Sequence, residues 1–287
     1  TLLGVIFLML LPALGEGAQT PDRVAQGQYI FGAAAGCGCH TEPGQPLNSG
    51  GRRYEAPFGT VYSSNITPNG ETGIGNWSDD EIIAAIRLGR RPNGERLIPV
   101  HPFMVFNGMA EEDLRALVAY LRTVPAINRP TQPKKITLPL FESVLLPAWL
   151  AAFAPRVTPP PAAPTSGLAR GEYLVQAVGH CGECHTPRGR TMASDNTRFL
   201  AGNPKGPNGD PVPNITPDPE SGLTWSEEEI AEFVGSGNKP DGDTAGGLMG
   251  EAIQGTSAGY KDLTQADRLA IARYLKSIPP IRHKVGP

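Results

Sequence analysis

Four stretches of the chain carry the residue pattern of α-helices. Two of them begin with capping boxes at residues 78–81 and 226–229, in which a serine and a glutamate three positions later satisfy each other's backbone N–H groups. These helices are predicted to run to Gly89 and to about Val234. The other two show apolar residues three and four positions apart and end before prolines: Leu114, Leu117, Val118 and Leu121 before Pro125, and Leu269, Ile271, Tyr274 and Leu275 before Pro279. Because no strand pattern is comparably strong, the sequence predicts an all-α fold.

The predicted helices belong to an internal repeat. The string GQYIF at Gly27 recurs as GEYLV at Gly171, NITP occurs twice, and both pairs of helices follow in the same order. The sequence therefore predicts two tandem domains, at 20–128 (the first copy) and 166–287 (the second copy). The linker between them, 129–165, ends in the Pro-rich string PRVTPPPAAPT.

Two apolar stretches lie outside the repeat. Residues 2–14 are apolar apart from Gly4 and Pro12, too short to span a bilayer but similar to the core of a secretory signal. We expect residues 1–19 to be an uncleaved N-terminal membrane anchor, a membrane helix preceded by further residues. The second stretch, 138–153, contains Glu142 and two prolines, which favours a linker packed on the domains over a second membrane segment.

The composition narrows the possible classes of function. Charged residues make up 18% of the chain and the formal net charge is -3, without a basic run, so no nucleic-acid partner is expected. The 35 glycines and 30 prolines among the 287 residues indicate long loops that bury little apolar surface. Such a chain is expected to organise around something else, such as a bound cofactor.

The four cysteines form two close pairs, each followed directly by His-Thr. Cys181, Cys184 and His185 match C-x-x-C-H, the pattern of covalent haem attachment. A redox dithiol, a zinc site or a disulfide framework would leave both histidines unexplained. Haem is therefore the predicted cofactor of the second copy.

The first pair is one residue shorter, because only Gly38 separates Cys37 from Cys39 before His40. Counted from the tyrosine of the repeated G-x-Y string, the first cysteine comes after eight residues in both copies. The second cysteine comes after ten residues in the first copy and eleven in the second, so the missing residue falls between the cysteines. Two covalently bound haem c groups are predicted, with Cys39 bonded and the segment at Cys37 locally distorted.

Each haem iron is expected to take the histidine of its motif, His40 or His185, and a second ligand. Haem irons in electron carriers commonly pair His with Met or His. Met249 lies 24 residues after the tryptophan of the second copy, and His101 lies 24 residues after that of the first. Met249 and His101 are the predicted distal ligands, with Met104 and Met109 as alternatives to His101.

The strings CGECHTPR, NITP, WSDDE, IPVHP and AYLRTVP resemble those of membrane-bound dihaem and multihaem c-type cytochromes. That family includes the cytochrome subunits of periplasmic alcohol, aldehyde and gluconate dehydrogenases, and the resemblance covers about 20–282. It implies all-α cytochrome c domains on the periplasmic side of the cell inner membrane, passing electrons from a dehydrogenase toward quinone or an oxidase. The chain departs from the family in having two motifs where three are common, one of them short, and in His101 where Met is common.

These features predict an electron carrier, not an enzyme, that relays electrons between a membrane or periplasmic redox partner and a respiratory or photosynthetic acceptor. A dihaem peroxidase or a thiosulfate-oxidising cytochrome is the alternative, although no cysteine is left to serve as a thiolate ligand. A purely structural subunit is a third class. With His101 on the first iron and Met249 on the second, the first haem is expected to have the lower potential, because methionine raises it.

Overall fold

The computed structural model describes residues 20–155, 157–207 and 209–286, with the backbone but not the side chain of Cys37. The membrane anchor expected at 1–19 lies outside these residues. Within them the α-helices are α1 Pro21–Ala33, α2 Asp79–Leu88, α3 Phe103–Phe106, α4 Glu111–Leu121, α5 Leu146–Phe153, α6 Gly167–Tyr173, α7 Gly182–His185, α8 Glu227–Ser236, α9 Gly247–Gln254 and α10 Gln265–Ser277. The strands are β1 Arg53–Ala56, β2 Gly59–Tyr62 and β3 Lys135–Ile136.

The first and last helices of each copy cross at a glycine. A Cβ added to Gly27 of α1 would lie 1.9 Å from the carbonyl oxygen of Ala116 in α4. A Cβ added to Gly171 of α6 would lie equally close, 1.9 Å, to the carbonyl oxygen of Ala270 in α10. The glycine of the repeated G-x-Y string therefore allows two helix backbones to touch, which no other residue would permit there.

Both predicted capping boxes are confirmed. The Ser78 side chain accepts from the backbone N–H of Glu81, whose carboxylate accepts from the N–H of Ser78, and α8 begins with the same two bonds. The helix α2 ends at Gly89 with φ of 59°, a left-handed C-cap. The helix α8 continues past Val234 to Ser236.

The all-α prediction is incomplete, because a small antiparallel sheet packs on the first copy. Arg53 of β1 lies opposite Tyr62 of β2, and β2 also pairs with β3 from the linker. The strands are 4, 4 and 2 residues long, too short for an alternating pattern to stand out in the sequence. Most of the described secondary structure is nevertheless helical.

The apolar stretch of the linker packs on this sheet. A π-helical turn, Phe141–Leu145, leads into α5, and Leu146 is 3% exposed beside Val61 and Ile98. The ring of Phe141 stacks on that of Phe58, with 4.3 Å between centroids. Across the described ranges, no helix combines the length and the apolar character that crossing a membrane requires.

The two copies share one hydrophobic core and exchange buried hydrogen bonds. The hydroxyl of Tyr29 donates to Asp267 at 2.6 Å, and that of Tyr173 donates to Asp113 at 2.7 Å. Each tyrosine comes from the G-x-Y string of one copy, and each aspartate lies in the last helix of the other. The contact between the copies therefore has an approximate two-fold symmetry built from repeated residues.

Candidate haem sites

The attachment motif of the second copy forms an α-helical turn. The backbone N–H groups of Cys184 and His185 both reach the carbonyl of Cys181, at 3.3 and 2.9 Å. Both cysteines are half-buried and free. Burial, followed by the neighbouring Cys184, raises the pKa of the Cys181 thiol to about 12.

The shortened motif of the first copy takes a tighter path. Residues Ala35–His40 form a 3-10 helix. A 3-10 helix rises further per residue than an α-helix, so it covers the same length with fewer residues. Ala35 and Gly36, just before the cysteines, have left-handed φ values of 63° and 59°. Cys39 is free and exposed. The local distortion expected around Cys37 thus takes the form of a 3-10 turn entered through two left-handed residues.

Both motif histidines are oriented by a backbone carbonyl. Nδ1 of His40 lies 2.8 Å from the carbonyl oxygen of Ser64, and Nδ1 of His185 lies 2.8 Å from that of Pro213. A histidine that donates Nδ1–H keeps Nε2 as the free, electron-donating nitrogen that a metal takes. Burial lowers the pKa of both rings, which favours the neutral form needed for ligation.

These two carbonyls are held in place by the NITP strings that follow them. Oδ1 of Asn65 accepts from the N–H and hydroxyl of Thr67, at 2.9 and 2.7 Å, while its Nδ2 donates to Ile127 at 2.8 Å. Asn214 makes the equivalent bonds in the second copy. Ser64 and Pro213 were not predicted from the sequence, although the repetition of NITP was the signal that could have led to them.

His101 faces His40 in the first copy. The ring centroids lie 6.4 Å apart with the ring planes at 79°, and Nε2 of His101 is buried without a hydrogen-bond partner. Two metal–nitrogen bonds of about 2 Å, plus roughly 1 Å from each nitrogen to its ring centre, give about this separation. Burial and the nearby His40 lower the pKa of His101 to about 3, so its imidazole is neutral. The pair fits an iron held between two imidazoles.

The three methionines considered as distal ligands lie in different surroundings. Met104 lines a cleft with Trp149 and Gly182, toward the second copy, and Met109 is fully buried in the core. Met249 lies in the first turn of α9, half-buried against the core. Of the residues considered as the distal ligand of the first iron, His101 is the one whose ring lies beside that of His40 and whose Nε2 is buried without a hydrogen-bond partner.

The two attachment motifs approach each other across the contact between the copies. Burial, then the neighbouring Glu183 and, to a smaller extent, Cys39 of the other copy raise the pKa of Cys184 to about 11. The ring of Phe106 lies 5.7 Å from that of His101 and 5.4 Å from that of His180, directly before Cys181. His180 was not predicted from the sequence. Its signal was its position directly before Cys181, where the first copy has a glycine.

Proteins with these features are c-type cytochromes, and comparison with known proteins agrees. Residues 168–279 match the Cytochrome c family. A protein described as "Diheme cytochrome c-type" from Cereibacter sphaeroides is 36% identical over 266 residues, which cover 90% of this chain and 87% of that protein. The chain therefore belongs to the dihaem c-type cytochrome family, whose cofactor is haem c.

Subunits of dehydrogenases are also similar to the chain. The alcohol dehydrogenase (quinone) cytochrome c subunit of Gluconacetobacter polyoxogenes is 37% identical over 94% of this chain and 59% of its own length. The gluconate 2-dehydrogenase cytochrome c subunit of Pantoea cypripedii is 34% identical over 96% of this chain and 64% of its own length. The chain thus spans about three fifths of the length of these subunits.

Proposed function

We propose that the protein relays single electrons through two covalently bound haems, one in each copy of the repeat. The observation that carries this proposal is the repeated orientation of a motif histidine by a carbonyl, at 2.8 Å in both copies. This arrangement frees Nε2 in both places, and it survives the loss of one residue from the first motif. A histidine with a purely structural role would not be expected to make the same Nδ1–carbonyl contact in both copies.

The residues divide into attachment and ligation. Cys37 and Cys39 would attach the first haem, whose iron His40 and His101 would hold. Cys181 and Cys184 would attach the second, whose iron His185 and Met249 would hold. When bound, a haem iron takes up one electron and releases one. Burial lowers the pKa of both motif histidines and so favours their neutral form, and the carbonyls of Ser64 and Pro213 fix their rings.

The partner is proposed to be a dehydrogenase subunit. Several similar proteins are named as cytochrome subunits of alcohol, gluconate and fructose dehydrogenases, which supports the proposal that this chain is an electron-transfer subunit and not the catalytic one. Electrons would enter at the first haem, leave from the second, and reach a respiratory or photosynthetic acceptor. A pull-down from solubilised membranes should recover a dehydrogenase polypeptide, and recovery of none would argue against this partner.

The location is proposed to be the periplasmic side of the inner membrane, with residues 1–19 as the anchor. The apolar run of residues 2–14 supports this proposal. Cell fractionation tests it, because an anchored protein stays with the membranes after a high-salt wash. Complete release into the soluble periplasm would contradict the anchor but not the haem sites.

The test of the electron-transfer role is a count of haems combined with their ligation state. Intact-mass measurement under denaturing conditions should show two covalently bound haems per chain. The reduced protein should bind no carbon monoxide, because each iron would carry two protein ligands. Rapid carbon monoxide binding or fast reaction with peroxide would instead support a dihaem enzyme with an open iron.

A further inference from the structure

The shortened motif is held by side chains from outside it. The carbonyl of Gly36 accepts from the hydroxyl of Thr256 at 2.6 Å, that of Gly38 from Arg52 at 3.3 Å, and that of Cys39 from the hydroxyl of Tyr54 at 3.1 Å. Three carbonyls in and beside the cysteine pair are therefore fixed by Arg52, Tyr54 and Thr256, which we call the cradle.

The corresponding bonds of the second motif stay within its own copy. There the carbonyl of Gly179 accepts from Tyr260 at 2.8 Å and that of Glu183 from Arg188 at 3.4 Å. In the first copy, by contrast, Thr256 is supplied by the second copy. The second motif is held by residues of its own copy, and the first is held partly by a residue of the other copy.

A second cross-copy contact runs through Arg52. Its guanidinium binds both carboxylate oxygens of Glu251, at 2.6 and 3.3 Å, while donating to Gly38. Glu251 lies on α9, two residues after Met249. Bidentate arginine–carboxylate pairs fix orientation as well as distance. Arg52 thus ties the shortened motif to the helix that carries the predicted distal ligand of the second haem.

The backbone of the motif also touches the second copy directly. Gly36 has φ of 59°, and a Cβ added to it would lie 1.8 Å from the carbonyl oxygen of Ala258. Only glycine allows this approach. The turn that contains Thr256 and Ala258 therefore lies against the backbone immediately before the cysteine pair.

The small sheet explains where Arg52 and Tyr54 come from. Arg52 directly precedes β1 and Tyr54 lies within it, so the pairing of β1 with β2 sets their positions. At the corresponding place the second copy has a single bridge between Asn203 and Val212. The copy with the shortened motif is the one in which a two-stranded hairpin stands beside the motif.

We propose that the cradle positions the shortened motif for haem, so that attachment and redox potential at the first haem depend on the second copy. This inference rests on the proposed function. Each thioether forms when a cysteine S–H adds across a haem vinyl group, with sulfur bonding one carbon and hydrogen the other, so no oxidant is needed. The cradle contributes by fixing the backbone that presents Cys39 and His40.

The test compares Thr256→Val with Ser257→Ala in the full-length protein. The valine removes the hydroxyl that holds Gly36 without changing charge or bulk. The control removes another hydroxyl of the same turn, which bonds Tyr120 of the first copy at 2.8 Å but not the motif. We expect Thr256→Val to increase the share of chains carrying one haem and to shift one of the two redox components. Ser257→Ala should carry two haems with both components unchanged.

Arg52→Gln and Thr256→Ser complete the series. The glutamine removes a positive charge beside the first haem and leaves Glu251 unpaired, so the potential of the lower component should fall. Thr256→Ser keeps the hydroxyl and should restore the wild-type haem count and potentials. Two haems and unchanged potentials in both Thr256→Val and Arg52→Gln would overturn the cradle. Fewer than two haems in the wild-type protein would instead overturn the proposed function.

Discussion

The two copies of the repeat differ most where they should be most alike, at the haem attachment motif. The second motif is an α-helical turn closed on the carbonyl of Cys181, whereas the first is a 3-10 turn held by Arg52, Tyr54 and Thr256. The loss of one residue has left the orientation of the motif histidine intact. What differs is the source of support, which is the same copy for the second motif, and a hairpin together with the other copy for the first.

The buried aspartates show a second difference. Asp267 accepts two bonds from the guanidinium of Arg170, at 3.0 and 2.7 Å, besides the one from Tyr29. Asp113 accepts from the neutral side chains of Gln26, at 2.9 Å, and Tyr173. A symmetric arrangement of hydrogen bonds therefore conceals an asymmetric distribution of charge, because the own-copy partner is a guanidinium at Asp267 and a neutral amide at Asp113.

The largest expected effect separates the two attachment motifs. Cys181→Ala/Cys184→Ala should leave one covalent haem, on the first copy, and Cys37→Ala/Cys39→Ala should leave one, on the second. The reason is that each thioether comes from its own copy even though the cradle is shared. Haem staining after denaturing electrophoresis and intact mass measure this. Total loss of stain in Cys181→Ala/Cys184→Ala would show that the shortened motif attaches no haem.

The next effect concerns the distal ligands. His101→Met should raise the potential of the lower redox component and leave the upper one in place, because methionine is a weaker donor than imidazole. Met104→Leu is the control, since Met104 lines a cleft toward the second copy. An optical redox titration decides the outcome. If His101→Met leaves both potentials unchanged, His101 is not a ligand and electrons need not run from the first copy to the second.

Much of this asymmetry could not be predicted from the sequence. The repeat, the helix starts and the motif histidines were visible because they depend on local spacing and capping. The partners of those residues were not, because Ser64 and Thr256 reach the motif only after folding, from 24 residues and more than 200 residues away. The hairpin was missed because its strands are 4 residues long.

A smaller effect should distinguish the two cross-copy tyrosines. Tyr173→Phe leaves Asp113, 2% exposed, without one of its neutral donors and should cost about 2–3 kcal/mol of unfolding free energy. Tyr29→Phe leaves Asp267 still paired with Arg170 and should cost about 1 kcal/mol. Denaturant unfolding of the haem-loaded protein measures both. Equal losses would mean that the charge on Arg170 does not compensate Asp267.

The smallest expected effect tests a feature that the copies share. Ser78→Ala and Ser226→Ala each remove a helix N-cap that bonds the N–H three residues later, at 3.2 and 3.1 Å. Each should therefore lower the free energy of unfolding by about 1 kcal/mol. The control is Ser143→Ala in the linker. Ser221→Ala would be unsuitable as a control, because the hydroxyl of Ser221 bonds Asp218 at 2.8 Å.

The two N-cap variants also test whether the copies unfold together. Because the copies share one core, we expect a single unfolding transition that both variants shift equally. Two separate transitions, each moved by only one variant, would show that the copies unfold independently despite their exchanged hydrogen bonds.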